Sequence, residues 1–446
     1  MTDMKPNPAI DAHPDWQLDG AAHLWLPYTQ MQTTPLGLPV VSGNGVRLTL
    51  EDGRELIDGV SSWWSTCHGY RHPHIEAAVM DQLKKLPHVM LGGFQHEPAS
   101  RLARKLADLC PGDLNHVFFT DSGSVAVEVG MKMAVQYWMN QGVQGRYRFL
   151  SFKGGYHGDT LATMSVCDPE EGMHSLFKDA LAQQVLVDVP STDTQRAAFS
   201  AQLAAHKDEL AAIVIEPLVQ GAGGMRFHDE DTLRFIYEQS RAHNVLLITD
   251  EIMTGLGRLG HMFACDIAGI VPDILTLSKS LTGGTMALAA TIASTPIFES
   301  FLSDDPQKAL MHGPTYMGNP LACRAALASL ELFESEPRLE QVRAIEHQLA
   351  QELAPAGQCP GVTDVRVRGA IGVIEFEELT DLNHIKQRFV EEGVWVRPFG
   401  NIIYTMPPFI IQPDDLRQIT TAMVKITQEI TDHAASVKKL PSFLIK

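Results

Sequence analysis

Short β-rich runs recur along this chain between longer stretches with helical spacing, and that alternation limits the fold more than any other feature. HVFFT (116–120), YRFLSF (147–152), AAIVIEP (211–217), NVLLITDE (244–251) and DILTLS (273–278) are apolar nearly throughout, whereas SVAVEVGMKMAVQYWMNQ spaces its apolar residues as a helix does. Strands that are apolar on both faces need cover on both, and alternation with helices makes them parallel. The expected fold is therefore α/β, a mainly parallel sheet covered by helices. The ends of the chain read differently. GNGVRLTLEDGRELID (43–58) is expected to form a hairpin turned at EDGR, and VTDVRVRGAIGVIEF (362–376) alternates like an antiparallel pair. A helical stretch at about 329–353, rich in Glu, Gln and Leu, separates the centre from the C-terminal part. The expected division is a large domain at 62–335 and a smaller α+β domain built from 1–61 and 336–446.

Charge narrows the partners. Lys plus Arg number 35 against 53 Asp plus Glu, a formal net charge of −18, whereas a phosphate backbone or an acidic membrane attracts a basic surface. Small-molecule substrates are expected, with no nucleic acid and no membrane. The opening MTDMKPNPAIDAHPDW has no basic segment followed by an apolar one, and no long apolar run occurs, so a cytoplasmic chain is expected. The six cysteines (Cys67, Cys110, Cys167, Cys265, Cys323, Cys359) include no C-x-x-C pair and read as buried thiols. His68, His72 and His74 have metal-like spacing, but HGYRHPH is turn-rich and lacks cysteines or a helical frame, so no metal is expected.

Three features suggest a cofactor. TDSGSVAVEV (120–129) follows an apolar strand, turns at Ser122 and Gly123 and enters a helix at Ser124, so free N–H groups and the positive helix end converge as a phosphate site requires. Asp121, Ser122 and Ser124 are equally suited to plain helix capping. NVLLITDE ends in Asp250 and Glu251, and strand ends of open α/β sheets face ligands. Lys279 closes a later run, far enough from Asp250 for one helical crossover to bring both to the same sheet edge. A simple salt bridge is the bland outcome. Lysine, acid and phosphate-binding helix end together fit pyridoxal phosphate: a partly buried lysine can lose its proton and form a Schiff base, and an aspartate can keep a pyridine nitrogen protonated. GLGRLG (255–260) also matches G-x-G-x-x-G, the mark of a dinucleotide-binding dehydrogenase. That motif needs its first glycine directly after the strand and a helix from its third, and here DEIMT intervenes.

ITDEIMTGLGRLGHMFACD, PDILTLSKSLTGG, DSGSVAVEVGMKMA and HGPTYMGNPLAC resemble the class III aminotransferases, pyridoxal-phosphate enzymes of fold type I. Within that class, LWLPYTQM, SSWWSTCHGYRHP, GGYHGDTLATMSVCDP, EPLVQGAGGMRF and GVWVRPFGNIIYTMPPFII are similar to members that convert 8-amino-7-oxononanoate to 7,8-diaminononanoate in biotin biosynthesis, with S-adenosylmethionine or, in relatives, lysine as amino donor. The likeness runs from about residue 20 to about 430. It implies a ping-pong aminotransferase with pyridoxal 5'-phosphate as cofactor. By position, Lys279 is implied as the Schiff-base lysine and proton shuttle, Asp250 as partner of the pyridine nitrogen and Tyr156 as the residue stacked on the ring. Gly123 and Ser124 are implied to hold the phosphate, with Pro314 and Thr315 reaching the cofactor of a neighbouring subunit, so a homodimer is implied too. Tyr28, Trp63, Trp64, Asp159, Arg258 and Gly313 are implied to line the substrate pocket, and Arg397 to clamp the substrate carboxylate. His157 and Glu216 are placed near the cofactor without an assigned role.

Overall fold

The structure is a computed structural model that describes residues 13–170 and 174–438. Residues 1–12 and 439–446, at the ends of the expected small domain, and 171–173, within the large one, lie outside the described residues. The chain groups into two compact units, one of Met1–Ser62, His68–His72 and Ala344–Lys446, the other of Trp63–Cys67 and Pro73–Arg343.

The larger unit is organised by a seven-stranded sheet. Its strands are β1 (Leu114–Thr120), β2 (Arg148–Phe152), β3 (Val185–Val187), β4 (Leu210–Ile215), β5 (Leu246–Asp250), β6 (Ile274–Leu277) and β7 (Ala289–Ser294), in the spatial order β1-β7-β6-β5-β4-β2-β3. Each run expected to be a strand is one. The sheet is not wholly parallel, however: β7 pairs antiparallel with both β6 and β1. AATIAS is buried throughout, so its pattern carries no alternation that would have revealed its direction. Helix α1 (Gly123–Asn140) covers one face. Its Val127, Met131, Ala134 and Trp138 belong to one core cluster with Ile248, Ile274 and Ala293 of the sheet, and Trp138 donates its indole N–H to the Ala211 carbonyl at 2.9 Å. Gly130 lets the helix approach, since a Cβ there would lie 3.3 Å from Ile274.

The register places the chemistry. Asp250 pairs with Thr276 across β5 and β6, so the C-terminal ends of these strands coincide and Lys279 follows directly. The helical stretch expected as one piece is two: α2 (Pro320–Ser335) ends before Pro337, and a second helix runs over Arg338–Leu353. A proline inside a helix removes a hydrogen bond and clashes with the preceding turn.

In the smaller unit the hairpin at EDGR forms as expected, with Arg47–Leu50 antiparallel to Glu55–Asp58. Val394–Trp395 from the C-terminal segment adds to that sheet in parallel beside Glu55–Asp58, tying both ends of the chain into one unit. Val362–Val367 and Gly372–Phe376 form the expected antiparallel pair, joined by Ile402–Thr405.

Candidate active site

Three segments of the larger unit meet around a cavity of about 150 Å³ lined by Trp64, Gly123, Ser124, Tyr156, His157, Gly158, Glu216, Asp250, Ile252, Met253, Ser278 and Lys279. The first is the start of α1. Ser122 is its N-cap, extended at φ −146°, with its hydroxyl accepting from the Val125 amide at 3.4 Å. The N–H groups of the first helical residues have no carbonyl within the helix to receive them, so Gly123 and Ser124 bring donors and the positive helix end to the cavity. Gly158 lies directly against this turn, at φ +129°; a Cβ there would stand 2.2 Å from Ser124 Oγ. The neighbouring Asp159 amide donates to that oxygen at 3.1 Å.

The second segment is the pair of strand ends. Asp250 Oδ1 accepts from the Ile252 amide at 3.1 Å and from the Thr276 hydroxyl at 3.4 Å. Lys279 opens a single 3₁₀ turn (Lys279–Thr282) with a left-handed backbone, φ +36°, a conformation that a non-glycine residue adopts at a cost. Burial pushes its ammonium below the ordinary lysine value, while the charges of Asp250, Glu216 and Asp159 oppose the shift. Its Nζ sits 4.8 Å from the centroid of the Trp64 ring. The glycine pair that follows has a packing reason: Gly283 and Gly284 are both left-handed, and a Cβ on Gly284 would lie 2.5 Å from Thr66.

The third segment is the loop after β2. Tyr156 donates its amide to Glu216 at 2.9 Å and its hydroxyl to Asp159 at 3.0 Å. His157 Nδ1 lies 2.8 Å from Asp250 Oδ2, with both side chains buried. Burial opposes the imidazolium, yet the hydrogen bond and charge of Asp250 outweigh it and hold His157 above its ordinary value. Glu216 also accepts from the Gly221 amide at 2.9 Å; burial pushes its carboxyl up to about 7, with His157 lowering and Asp250 raising it.

Of the residues singled out from sequence, Gly123, Ser124, Tyr156, Asp250, Lys279 and Trp64 therefore line one cavity, and Asp159 adjoins it through Tyr156. Trp63 and Trp64 stand in left-handed backbone, φ +59° and +73°, with Trp63 partly exposed. Arg258 is fully buried and does not line the cavity. Gly313, Pro314 and Thr315 lie on a separate loop, where Thr315 is exposed. Tyr28 and Arg397 belong to the smaller unit; burial lowers the Arg397 guanidinium from its ordinary value, against the influence of Tyr404 and Tyr28. His74 pairs with Glu331 at 2.5 Å. The roles of His157 and Glu216 escaped the sequence reading, because their partners lie 93 and 60 residues away.

GLGRLG does not open a helix. Turns run on to the short helix Ala264–Ala268, and Glu251 accepts from its Ala264 and Cys265 amides at 2.9 and 2.8 Å. Glu251 is thus a structural clasp for this loop, and no helix N-terminus follows the third glycine as a dinucleotide site needs.

The family model for class-III aminotransferases matches residues 28–427. The adenosylmethionine-8-amino-7-oxononanoate aminotransferase of Mycobacterium leprae is 48% identical over 415 residues, covering 91% of this chain and 95% of that protein. Among solved structures, the enzyme of the same name from Methanocaldococcus jannaschii superposes with a TM-score of 0.89 at 33% identity, covering 93% of this chain and 98% of the other. An amine transaminase from an uncultivated Pseudomonas species, in its PLP-bound form, gives 0.84 at 30% identity over 92% of this chain and 99% of its own.

Proposed function

Because this chain belongs to the class III aminotransferases, we propose that it transfers an amino group from S-adenosylmethionine to 8-amino-7-oxononanoate, forming 7,8-diaminononanoate for biotin biosynthesis. The carrying observation is the convergence of Lys279, Asp250 and the N-terminus of α1 on one cavity. These residues fit pyridoxal 5'-phosphate. A helix end with unspent amide donors suits a phosphate, and the glycine at 158 leaves open the space that a Cβ would fill. What the bound cofactor supplies is a carbonyl that captures amines and a cationic ring that withdraws electrons from the substrate carbon.

The protein's own groups do the rest. Asp250, held by His157, would keep a bound ring nitrogen protonated. Lys279 moves the proton. Burial favours its neutral amine, which can take a proton from the substrate carbon and return one elsewhere on the same face. Tyr156, fixed at both its amide and its hydroxyl, would stack against the cofactor ring. Trp63, Trp64 and Asp159 line the substrate channel, and Arg397, whose planar fork matches a carboxylate with two bonds, binds the carboxylate of 8-amino-7-oxononanoate. The working unit is a homodimer in which Pro314 and Thr315 of one subunit reach the cofactor of the other; the exposure of Thr315 in the single chain supports this. Among the described residues no helix is long and apolar enough to cross a membrane.

The test supplies each donor separately to the cofactor-loaded protein. S-adenosylmethionine alone should bleach the visible absorption of the cofactor, and 8-amino-7-oxononanoate should restore it while 7,8-diaminononanoate appears. Bleaching by lysine and not by S-adenosylmethionine would reassign the donor; no response to either would refute the reading.

A further inference from the structure

We propose that Asp168 is a positioning residue of this active site, fixing the turn at Gly154 and Gly155 and, through that turn, the places of Tyr156 and His157. The loop from Gly154 to Gly158 holds three glycines in five residues, two of them left-handed, Gly154 at φ +72° and Gly158 at φ +129°. So much glycine leaves many backbone conformations open, and the shape of the loop is therefore imposed by what it touches. Gly154, Gly155, His157 and Gly158 are all buried, where backbone N–H and C=O groups need partners within the protein.

Cys167 and Asp168 supply them. After the loop the chain makes a short helix (Leu161–Ser165) and returns to it. Asp168 Oδ2 accepts from the Gly154 amide at 2.7 Å, a bond across 14 residues of sequence, and the Asp168 amide donates to the Gly155 carbonyl at 3.0 Å. Its other oxygen, Oδ1, accepts from the Glu170 amide at 2.8 Å, which sets the plane of the carboxylate. Beside this pair the His157 amide donates to Cys167 Sγ at 3.2 Å. Asp168 is 3% exposed and does not line the cavity, whereas Tyr156, His157 and Gly158 do. The loop thus meets the cavity with its functional side chains and is anchored away from it by one carboxylate. Glu216 and Asp250 hold Tyr156 and His157 from the cavity side, and those bonds keep their geometry only while the backbone just upstream stays in place.

Two substitutions separate positioning from packing. Asp168→Leu keeps the bulk and loses the acceptor. Asp168→Asn keeps one oxygen that can serve the buried Gly154 amide, leaving the amide of the exposed Glu170 to water. Titration of apoprotein with pyridoxal 5'-phosphate should show about tenfold weaker binding in Asp168→Leu, the scale of one hydrogen bond to a charged group, with most of the loss restored in Asp168→Asn. The circular dichroism induced in the cofactor band, per bound cofactor, should change in the same order. In a Tyr156→Leu background the loss from Asp168→Leu should shrink, since a ring that it places is already gone. Wild-type binding and dichroism in Asp168→Leu, a loss as large in Asp168→Asn, or losses that multiply in full with Tyr156→Leu would each overturn the proposal. Should Asp168→Leu fail to fold, Asp168→Ala takes its place in the same cycle, and full multiplication there refutes the proposal equally. The inference rests on the cofactor site and needs no turnover. Absence of the proposed transamination with an intact binding cycle would discard the substrates and keep the role of Asp168.

Discussion

Replacing Gly158 by alanine probes the phosphate cradle at the scale of one atom. A Cβ at this position would lie 2.2 Å from Ser124 Oγ, 2.5 Å from its Cβ and 2.7 Å from its Cα. The last two belong to the stem and backbone of the first turn of α1, which have no flexible end to withdraw. The backbone at φ +129° adds its own cost, since that region is almost reserved for glycine. A strained torsion costs about 1–3 kcal/mol and forced overpacking about as much again, so the loop and helix together lose about 2–6 kcal/mol. The loss has two outlets. If the loop moves away from Ser124, the cradle opens and cofactor affinity falls by at least about 30-fold, the equivalent of about 2 kcal/mol. If the loop stays, the apoprotein unfolds at lower urea concentration. Titration of apoprotein with cofactor, followed by absorbance, and urea unfolding of the same sample measure both. Their summed loss should reach at least about 2 kcal/mol. A variant matching wild type in both would refute the close approach of Gly158 to Ser124 and the cradle built on it.

Asp250→Asn should still bind cofactor yet lose most turnover, because an amide cannot keep the ring nitrogen protonated; cofactor content and kcat measured on one preparation check this. Arg397→Ala should cost about 2–5 kcal/mol in binding the substrate carboxylate, so kcat/KM for 8-amino-7-oxononanoate should fall far more than for its methyl ester. An unchanged acid-to-ester ratio would remove Arg397 from the site. Glu216 gives a pH signature: its folded value of about 7 exceeds the ordinary 4.5, so the native state holds the extra proton and stability drains away as pH rises between those values. Wild type should accordingly lose ground to Glu216→Gln in urea unfolding from about pH 4.5 to pH 7, and a parallel pair of curves would contradict the burial of an ionisable Glu216.

Local features were legible in the sequence because their causes are local. The strands announced themselves as apolar runs, α1 as an 18-residue helix with a serine cap, and the EDGR hairpin by its turn residues. The lysine and aspartate at successive strand ends followed from the rule that ligands meet parallel sheets at the carboxyl edge. Interactions between distant segments were not legible. Sequence alone did not single out β7, since a run of small buried residues carries no alternation, and placed no strand order on the sheet. It also could not supply partners for His157 and Glu216, because a buried histidine and a catalytic one are spelled identically. Only the tertiary structure brings His157 to Asp250, Tyr156 to Glu216 and Gly158 onto Ser124, and these approaches are what turn a lysine, an acid and a helix end into one site. Composition and period act through neighbours along the chain, whereas pKa values, left-handed turns and close contacts depend on groups that folding alone makes adjacent.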